Sequence, residues 1–274
     1  MAGKLYVVAS PLGDPDDITL RALRVLRSVA MIAAEDTRVT AALLAHHGMT
    51  ARLISYHDHN EDRRVAGLVE RMLAGDDVAL VSDAGTPLIN DPGYRLVQAC
   101  VGEGIDVVVI PGACAVIAGL VGSGLPVDRF VFAGFFPRED ADRAAVFDTF
   151  GHLGATLIFY ESPLRLAGTL EAVAARWPAR NVVVARNLTK RWEQWIRGTA
   201  EEARITLGDE TRGEVVLLIA PGEKKSEWAA AEELIGTLTK AGGTSKDIRD
   251  AVAAATGLPK REIYQRILRG ERPD

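Results

Sequence analysis

Several short stretches of this 274-residue chain carry residue types that could bind a ligand or move a proton. Glu35 and Asp36 are adjacent carboxylates followed closely by Arg38. An arginine within a few ångströms keeps a carboxylate ionised and able to accept a proton; an ion pair or a helix cap would use the same residues equally well. Three loops, Ser10-Pro11-Leu12-Gly13-Asp14, Ser82-Asp83-Ala84-Gly85-Thr86-Pro87 and Pro111-Gly112-Ala113-Cys114-Ala115, are rich in small residues that let a ligand approach the backbone. Leu12, Ile89 and Ala113 to Ala115 could enclose an apolar or aromatic ring. His57-Asp58-His59 has the residue types of a metal site, but no further Cys or His lies at ligand spacing, so polar contact is the expectation and no metal is assigned. Between Arg186 and Arg197 cations interleave with Trp192 and Trp195, a mixture suited to phosphate contact and base stacking. A strand end leading into a half-buried loop would account for that stretch as well.

The elements that must position these loops are legible as alternating apolar runs and helical periodicity. Leu5 to Ala9, Met31 to Ala34, Val78 to Val81 and Val107 to Ile110 read as buried strands, with Leu20, Leu23 and Leu26 at helical spacing after the first. The pattern predicts an α/β domain over residues 1–118 with a largely parallel sheet, whose strand C-termini carry the candidate loops. Gly122, Gly124 and Pro126 suggest a break, placing a linker at 119–127. A second α/β domain is expected over 128–222, with strands at Phe130 to Ala133, Thr156 to Tyr160, Val182 to Ala185 and Val215 to Ile219. Residues 223–274 read as a helical, helix-turn-helix-like extension: Glu227 to Lys240, then a helix capped by Thr244-Ser245 and ended by Gly257, then a third from Pro259.

With 48% hydrophobic and 25% charged residues, the composition excludes a disordered chain. A net charge of -5 argues against an indiscriminate nucleic-acid coat, though not against a local basic patch. Cys100 and Cys114 build no disulfide framework, which fits a reducing, cytoplasmic setting. No run approaches the ~20 apolar residues of a membrane helix, so no membrane association is expected. Walker A, GxGxxG and GxSxG patterns are all missing, so an ATP- or NAD-dependent enzyme or a serine hydrolase fits poorly.

The string Ser82-Asp83-Ala84-Gly85-Thr86-Pro87-Leu88-Ile89-Asn90-Asp91-Pro92-Gly93 is long and unusual. Together with Ala34 to Arg38, Ser55 to Glu61 and Phe159-Tyr160-Glu161-Ser162-Pro163, it closely resembles the tetrapyrrole methylase superfamily. Within it, the chain is most similar to the branch that carries a C-terminal helical unit and acts on ribosomal RNA. The resemblance implies two α/β domains of the class III methyltransferase type, a homodimer, and S-adenosylmethionine bound between the domains as methyl donor. It also implies transfer to the 2'-hydroxyl of a cytidine in the decoding region of 16S rRNA, within the small ribosomal subunit. The alternative is a relative acting on a tetrapyrrole or another small acceptor. Carried over by motif, the donor-binding positions are Leu12, Gly85, Thr86, Ile89, Cys114, Ala115, Tyr160, Glu161, Asn187, Leu188 and Ala220. Thr86 stands where the superfamily commonly has Asp, so Asp83 is a candidate for the lost carboxylate contact. Asp36 resembles the superfamily's proton-accepting position, with Glu35 and His57 as runners-up and Arg38 as the group that orients the carboxylate or meets a phosphate. Lys190, Arg191, Arg197, Lys260, Arg261 and Arg266 are the candidate RNA contacts.

Overall fold

The computed structural model describes residues 2–208, 211–222 and 227–270. Two compact units result, one from residues 1–151 and 155–221, the other from 152–154 and 222–274. The larger unit contains two five-stranded sheets.

The first sheet uses β1 (Leu5–Val8), β2 (Met31–Ala34), β3 (Leu53–Ser55), β4 (Val78–Val81) and β5 (Val107–Ile110) in the order β3-β2-β4-β1-β5. All four pairings are parallel, as the uninterrupted apolar runs predict for strands covered on both faces. Helices α1 (Leu20–Ser28) and α2 (Thr37–His46) supply Leu26 and Leu44 to one face. Helices α3 (Glu61–Leu73) and α4 (Tyr94–Gly102) supply Met72 and Leu96 to the other. Neighbouring β1 and β4 therefore send their following helices to opposite faces, which opens a crevice at their C-terminal ends.

Helix α5 (Ala115–Ser123) takes up residues 119–123 of the expected linker and leaves 124–127 beyond its end. Gly119 and Gly122 lie inside it, and they are there for packing rather than to break the chain. A Cβ on Gly119 would lie 3.1 Å from Val216, and one on Gly122 would lie 2.3 Å from the Trp195 ring. The helix stops one residue later, at Gly124 in the left-handed conformation (φ 79°).

The second sheet has β6 (Phe130–Phe135), β7 (Thr156–Glu161), β8 (Asn181–Arg186), β9 (Gln194–Thr199) and β10 (Val215–Ile219), in the order β6-β7-β10-β8-β9. Only β6 and β7 are parallel; β10 runs antiparallel to both neighbours. Strand β9 lies where the sequence reads as a cation-rich loop, because Trp195 and Ile196 alternate against β8 as a hairpin partner. Helices α6 (Asp140–Phe150), α7 (Leu166–Arg176) and α8 (Ala200–Leu207) cover the outer face, burying Phe147, Leu170 and Leu207. The inner face meets α5 through Val116 and Leu120 against Val183 and Leu218.

In the smaller unit, α9 (Glu227–Lys240), α10 (Ser245–Thr256) and α11 (Lys260–Gly270) bury Ala231, Ile248, Val252, Ile263 and Ile267 together. Thr244 caps α10 by accepting from the Asp247 N–H, and Gly257 ends it at φ 72°. Residues 223–226 and 271–274 of the expected extension lie outside the described residues. No helix among the described residues is long and apolar enough to cross a membrane.

The packing assigned to Gly122 has a direct test by denaturation. Gly122→Val forces the helix off Trp195 and is expected to destabilise the chain by about 1–3 kcal/mol. Gly67, inside α3, is the control, because a Cβ there would meet nothing within 4 Å. Gly67→Ala is expected to stabilise by about 0.5–1 kcal/mol.

Candidate active site

Backbone hydrogen bonds tie the first-sheet loops to one another. Ser10 and Gly85 exchange an antiparallel pair, with the Ser10 N–H donating to the Gly85 carbonyl at 2.8 Å and the Gly85 N–H returning at 3.1 Å. Gly85 sits at φ 82°, and a Cβ there would stand 3.2 Å from Leu12, so this position requires glycine on both counts. Thr86 donates its hydroxyl to the Ala113 carbonyl at 2.9 Å, joining the β4 and β5 loops. Thr86 therefore acts as a loop tie where a carboxylate is common.

Between the two sheets lies a cavity of about 340 Å³. Leu12, Thr86, Ile89 and Ala115 line it from the first half, and Tyr160, Glu161 and Leu188 from the second, which brings together seven of the expected donor positions. Ala84, Asp91, Phe135, Ala185, Gly213, Glu214 and Val215 border it as well, none of them singled out from sequence. Cys114, the N-cap of α5, packs against the apolar cluster that includes Leu12 and Leu188 and does not line the cavity. Asn187 adopts φ 51°, and its Oδ1 accepts from the Glu214 N–H at 3.2 Å, so its side chain pins the lead-in to β10. Ala220 is displaced from the site altogether. Val215 pairs with Glu161 and Arg186, whereas Ile219, next to Ala220, pairs with Leu157 and Val182. Because β10 runs antiparallel, its first residue reaches the cavity and its last lies at the far edge of the sheet, roughly 15 Å away at the rise of a strand.

The carboxylates of the site divide by what holds them. Asp36 caps α2, accepting from the Arg38 N–H at 2.8 Å, and also grips the Arg38 guanidinium, with Nη2 at 2.5 Å. These donors hold its carboxyl down at about 2, which makes it a weak base. Glu35 accepts the Asp83 N–H at 3.1 Å and Asp83 accepts the Asp36 N–H at 2.9 Å, zipping the β2 and β4 loops together. Burial pushes both Glu35 and Asp83 above the ordinary carboxylate value. His57 accepts at Nε2 from the Asn60 amide at 3.1 Å; Asn60 Oδ1 in turn takes the His57 N–H at 3.0 Å, which fixes the amide's orientation. That places the imidazole lone pair in the turn rather than toward a substrate. Glu161 borders the cavity with its carboxylate fully buried, held by Thr169 Oγ1 at 2.5 Å, the Ser162 N–H at 2.6 Å and Arg165 at 2.5 Å. It anchors β7 to α7. Asp91 differs: burial raises its carboxyl to about 7, with the Ser82 hydroxyl as its hydrogen-bonding neighbour.

A second cavity, lined by Arg186, Asn187, Lys190, Arg191, Trp192 and Arg212 among others, adjoins the first through Gly213. Arg191 lies over the Trp192 ring at 4.5 Å, and Trp192 is 62% exposed, so a cation and an aromatic face are presented to solvent together. Lys190 is paired with Glu214 at 2.6 Å. Arg197, expected on RNA, instead donates to the carbonyls of Gly122 at 2.7 Å and Ser123 at 3.1 Å, neutralising the C-terminus of α5. On the smaller unit Lys260 pairs with Asp250 at 2.9 Å, and Arg266 pairs with Glu232 while covering Trp228, whereas Arg261 is exposed. Asp16, His46 and His47 gather their ligand atoms within 4.8 Å of one another, a group that sequence spacing hides because two of its members lie thirty residues from the third.

The similarities of the chain agree with this geometry. Residues 4–204 match the family described as Tetrapyrrole (Corrin/Porphyrin) Methylases. The "Ribosomal RNA small subunit methyltransferase I" of Micromonospora olivasterospora is 44% identical over 271 residues, covering 97% of this chain and 87% of that protein. Its namesake in Escherichia coli O157:H7 is 44% identical over 273 residues, covering 97% and 95%. Among solved structures, the uroporphyrin-III C-methyltransferase of Thermus thermophilus complexed with S-adenyl homocysteine superposes with TM-score 0.57 at 20% identity, over 81% of this chain and 98% of that one. A diphthine synthase superposes with TM-score 0.65 at 15% identity, over 80% and 90%. Fold, loop ties and near full-length similarity agree: the chain belongs to the tetrapyrrole methylase family, and within it to the group of ribosomal RNA small subunit methyltransferase I.

Proposed function

We propose that this chain is an S-adenosylmethionine-dependent methyltransferase that modifies 16S rRNA in the small ribosomal subunit, on the 2'-hydroxyl of a cytidine in the decoding region. The observation that carries the reading is near full-length identity of 44% to proteins named for ribosomal RNA methylation, joined to a cavity walled by the family's own loops. The residues present fit the donor. Leu12, Ile89, Ala115 and Leu188 give apolar walls for an adenine ring. Bound there, the donor supplies an electrophilic methyl carbon.

The chain's own task is to hold an acceptor oxygen in line with that carbon, to keep water out and to provide a place for the hydroxyl proton. The Arg191–Trp192 pair beside the cavity suits an RNA strand that must present one splayed nucleotide, by stacking and by phosphate contact. Arg261 extends the candidate contacts on the helical unit. A homodimer is part of this reading: β5 is an edge strand with Val109 exposed, and α5 exposes Ile117 and Val121. A cytoplasmic location follows from a ribosomal substrate.

Labelled methyl from S-adenosylmethionine is expected on 16S rRNA when isolated small subunits are incubated with the enzyme. Mapping it to a ribose oxygen of a decoding-region cytidine supports the reading; label on a porphyrinogen with none on the subunit contradicts it. Charge reversal separates the RNA contacts from the structural cations. Arg191→Glu is expected to weaken subunit binding and lower the salt slope by about one or two. Arg197→Ala is expected to lower the melting temperature, because the α5 carbonyls lose their donors, and to leave the salt slope alone.

A further inference from the structure

We propose that Asp91 is the catalytic residue that takes the proton from the acceptor hydroxyl, deepening the methyltransferase reading on which this inference rests. Among the described residues three carboxylates line the cavity, Asp91, Glu161 and Glu214. Glu161 is saturated by Thr169, Ser162 and Arg165, and Glu214 is paired with Lys190. Asp91 belongs to neither set of contacts and lines the same cavity, with the Ser82 hydroxyl beside it. The other candidates stand outside the cavity lining: Asp36 is held by Arg38 and the α2 terminus, Glu35 accepts the Asp83 N–H, and His57 turns Nε2 to the Asn60 amide while its Nδ1 is buried without a partner.

The loop that carries Asp91 is built to hold one geometry. Leu88 at φ 73° and Asn90 at φ 66° are non-glycine residues in the left-handed region, each costing of order 1 kcal/mol or more unless the surroundings enforce it. Gly93 follows at φ 131°, where a Cβ would meet Leu80 at 2.5 Å. On the other side, Asn90 Oδ1 comes within 3.3 Å of a Cβ position at Gly134, in the bulge of β6, so the loop is wedged between the two sheets. Such strain gathers where a side chain must be aimed.

The groups that face Asp91 come from both halves. Glu35, Asp58 and Asp83 oppose its ionisation from the first sheet, and Tyr160, itself pushed upward chiefly by burial, faces it from the second. Burial is the largest cause of the upward shift to about 7, the range in which a carboxylate both ionises at working pH and binds a proton usefully. As the acceptor oxygen bonds to the methyl carbon, its O–H bond breaks and the proton passes to the Asp91 carboxylate. The carbon–sulfur pair stays on sulfur, which leaves as a neutral thioether, and the Asp91 proton returns to solvent after release.

The test uses the full chain and its Asp91→Asn variant, with three readouts. Single-turnover methyl transfer to small subunits by the wild type is expected to rise with pH through about 7, and Asp91→Asn to lower it by roughly 10²–10⁴ and remove the inflection. The dissociation constant of S-adenosylhomocysteine, measured by calorimetry, is expected to change by less than about threefold, since the role lies in the transfer step and not in donor binding. The third readout needs no turnover. A folded value above the unfolded one means that ionising Asp91 opposes folding, an effect absent at low pH and growing as pH rises to the folded value. The variant's melting temperature should therefore gain on the wild type between about pH 4 and pH 7 and hold that gain above it.

Variant transfer within about threefold of wild type overturns the assignment, as does a loss of S-adenosylhomocysteine affinity that matches the loss of rate, which would make Asp91 a donor clamp. Wild-type chain that binds S-adenosylhomocysteine but never methylates small subunits overturns the functional reading instead, so the two failures are distinguishable.

Discussion

The site depends on the way three loops at the C-terminal edge of one parallel sheet are bonded to each other rather than to solvent. The Ser10–Gly85 backbone pair and the Thr86 hydroxyl on the Ala113 carbonyl fix the loops of β1, β4 and β5 as a single floor. The Glu35–Asp83–Asp36 exchange extends that floor to β2. Loops are ordinarily the mobile part of an α/β domain. Here their polar groups are satisfied among themselves, which leaves apolar side chains and one carboxylate facing the cavity. A preorganised wall of that kind is what positional catalysis requires.

The second half contributes a roof, and α5 sets its height. Small residues at Gly119 and Gly122 let the helix approach Val216 and Trp195 closely, and Arg197 fastens the helix end by donating to its last carbonyls. The same cation that looks from sequence like an RNA contact thus fastens the end of α5 to β9 of the second sheet. The Asn187–Thr189 segment completes the closure: its left-handed residues turn Leu188 into the cavity, while Thr189 Oγ1 accepts the Asp14 N–H at 3.1 Å across the crevice. Structural and cavity-facing positions alternate residue by residue along this loop.

Much of this is legible in the amino-acid order. The parallel strands Leu5–Val8, Met31–Ala34, Val78–Val81 and Val107–Ile110 are continuous apolar runs, a pattern that few alternatives share, and the Thr244 and Gly257 caps of α10 follow from side-chain chemistry. What escapes such reading is set by tertiary partners. Gly122 looks like a breaker until Trp195 is seen against it. Ala220 enters the expected site through the family resemblance, and only the antiparallel register of β10 sends that strand end away. Asp36 has the residue type of a base, yet the helix it caps and its own Arg38 hold it ionised and weakly basic. Asp91 lies within a recognisable motif, but its half-buried place in the cavity wall is a tertiary property that no spacing records.

Every step of the chemistry requires that the cavity between the sheets hold the sulfur-containing donor. A crystal structure of the chain with S-adenosylhomocysteine tests this most directly. The predicted result is density for the ligand with its adenine among Leu12, Ala115 and Leu188 and its sulfur on the side of Asp91. Density at another place on the surface, or a cavity that stays closed to saturating ligand, would contradict it.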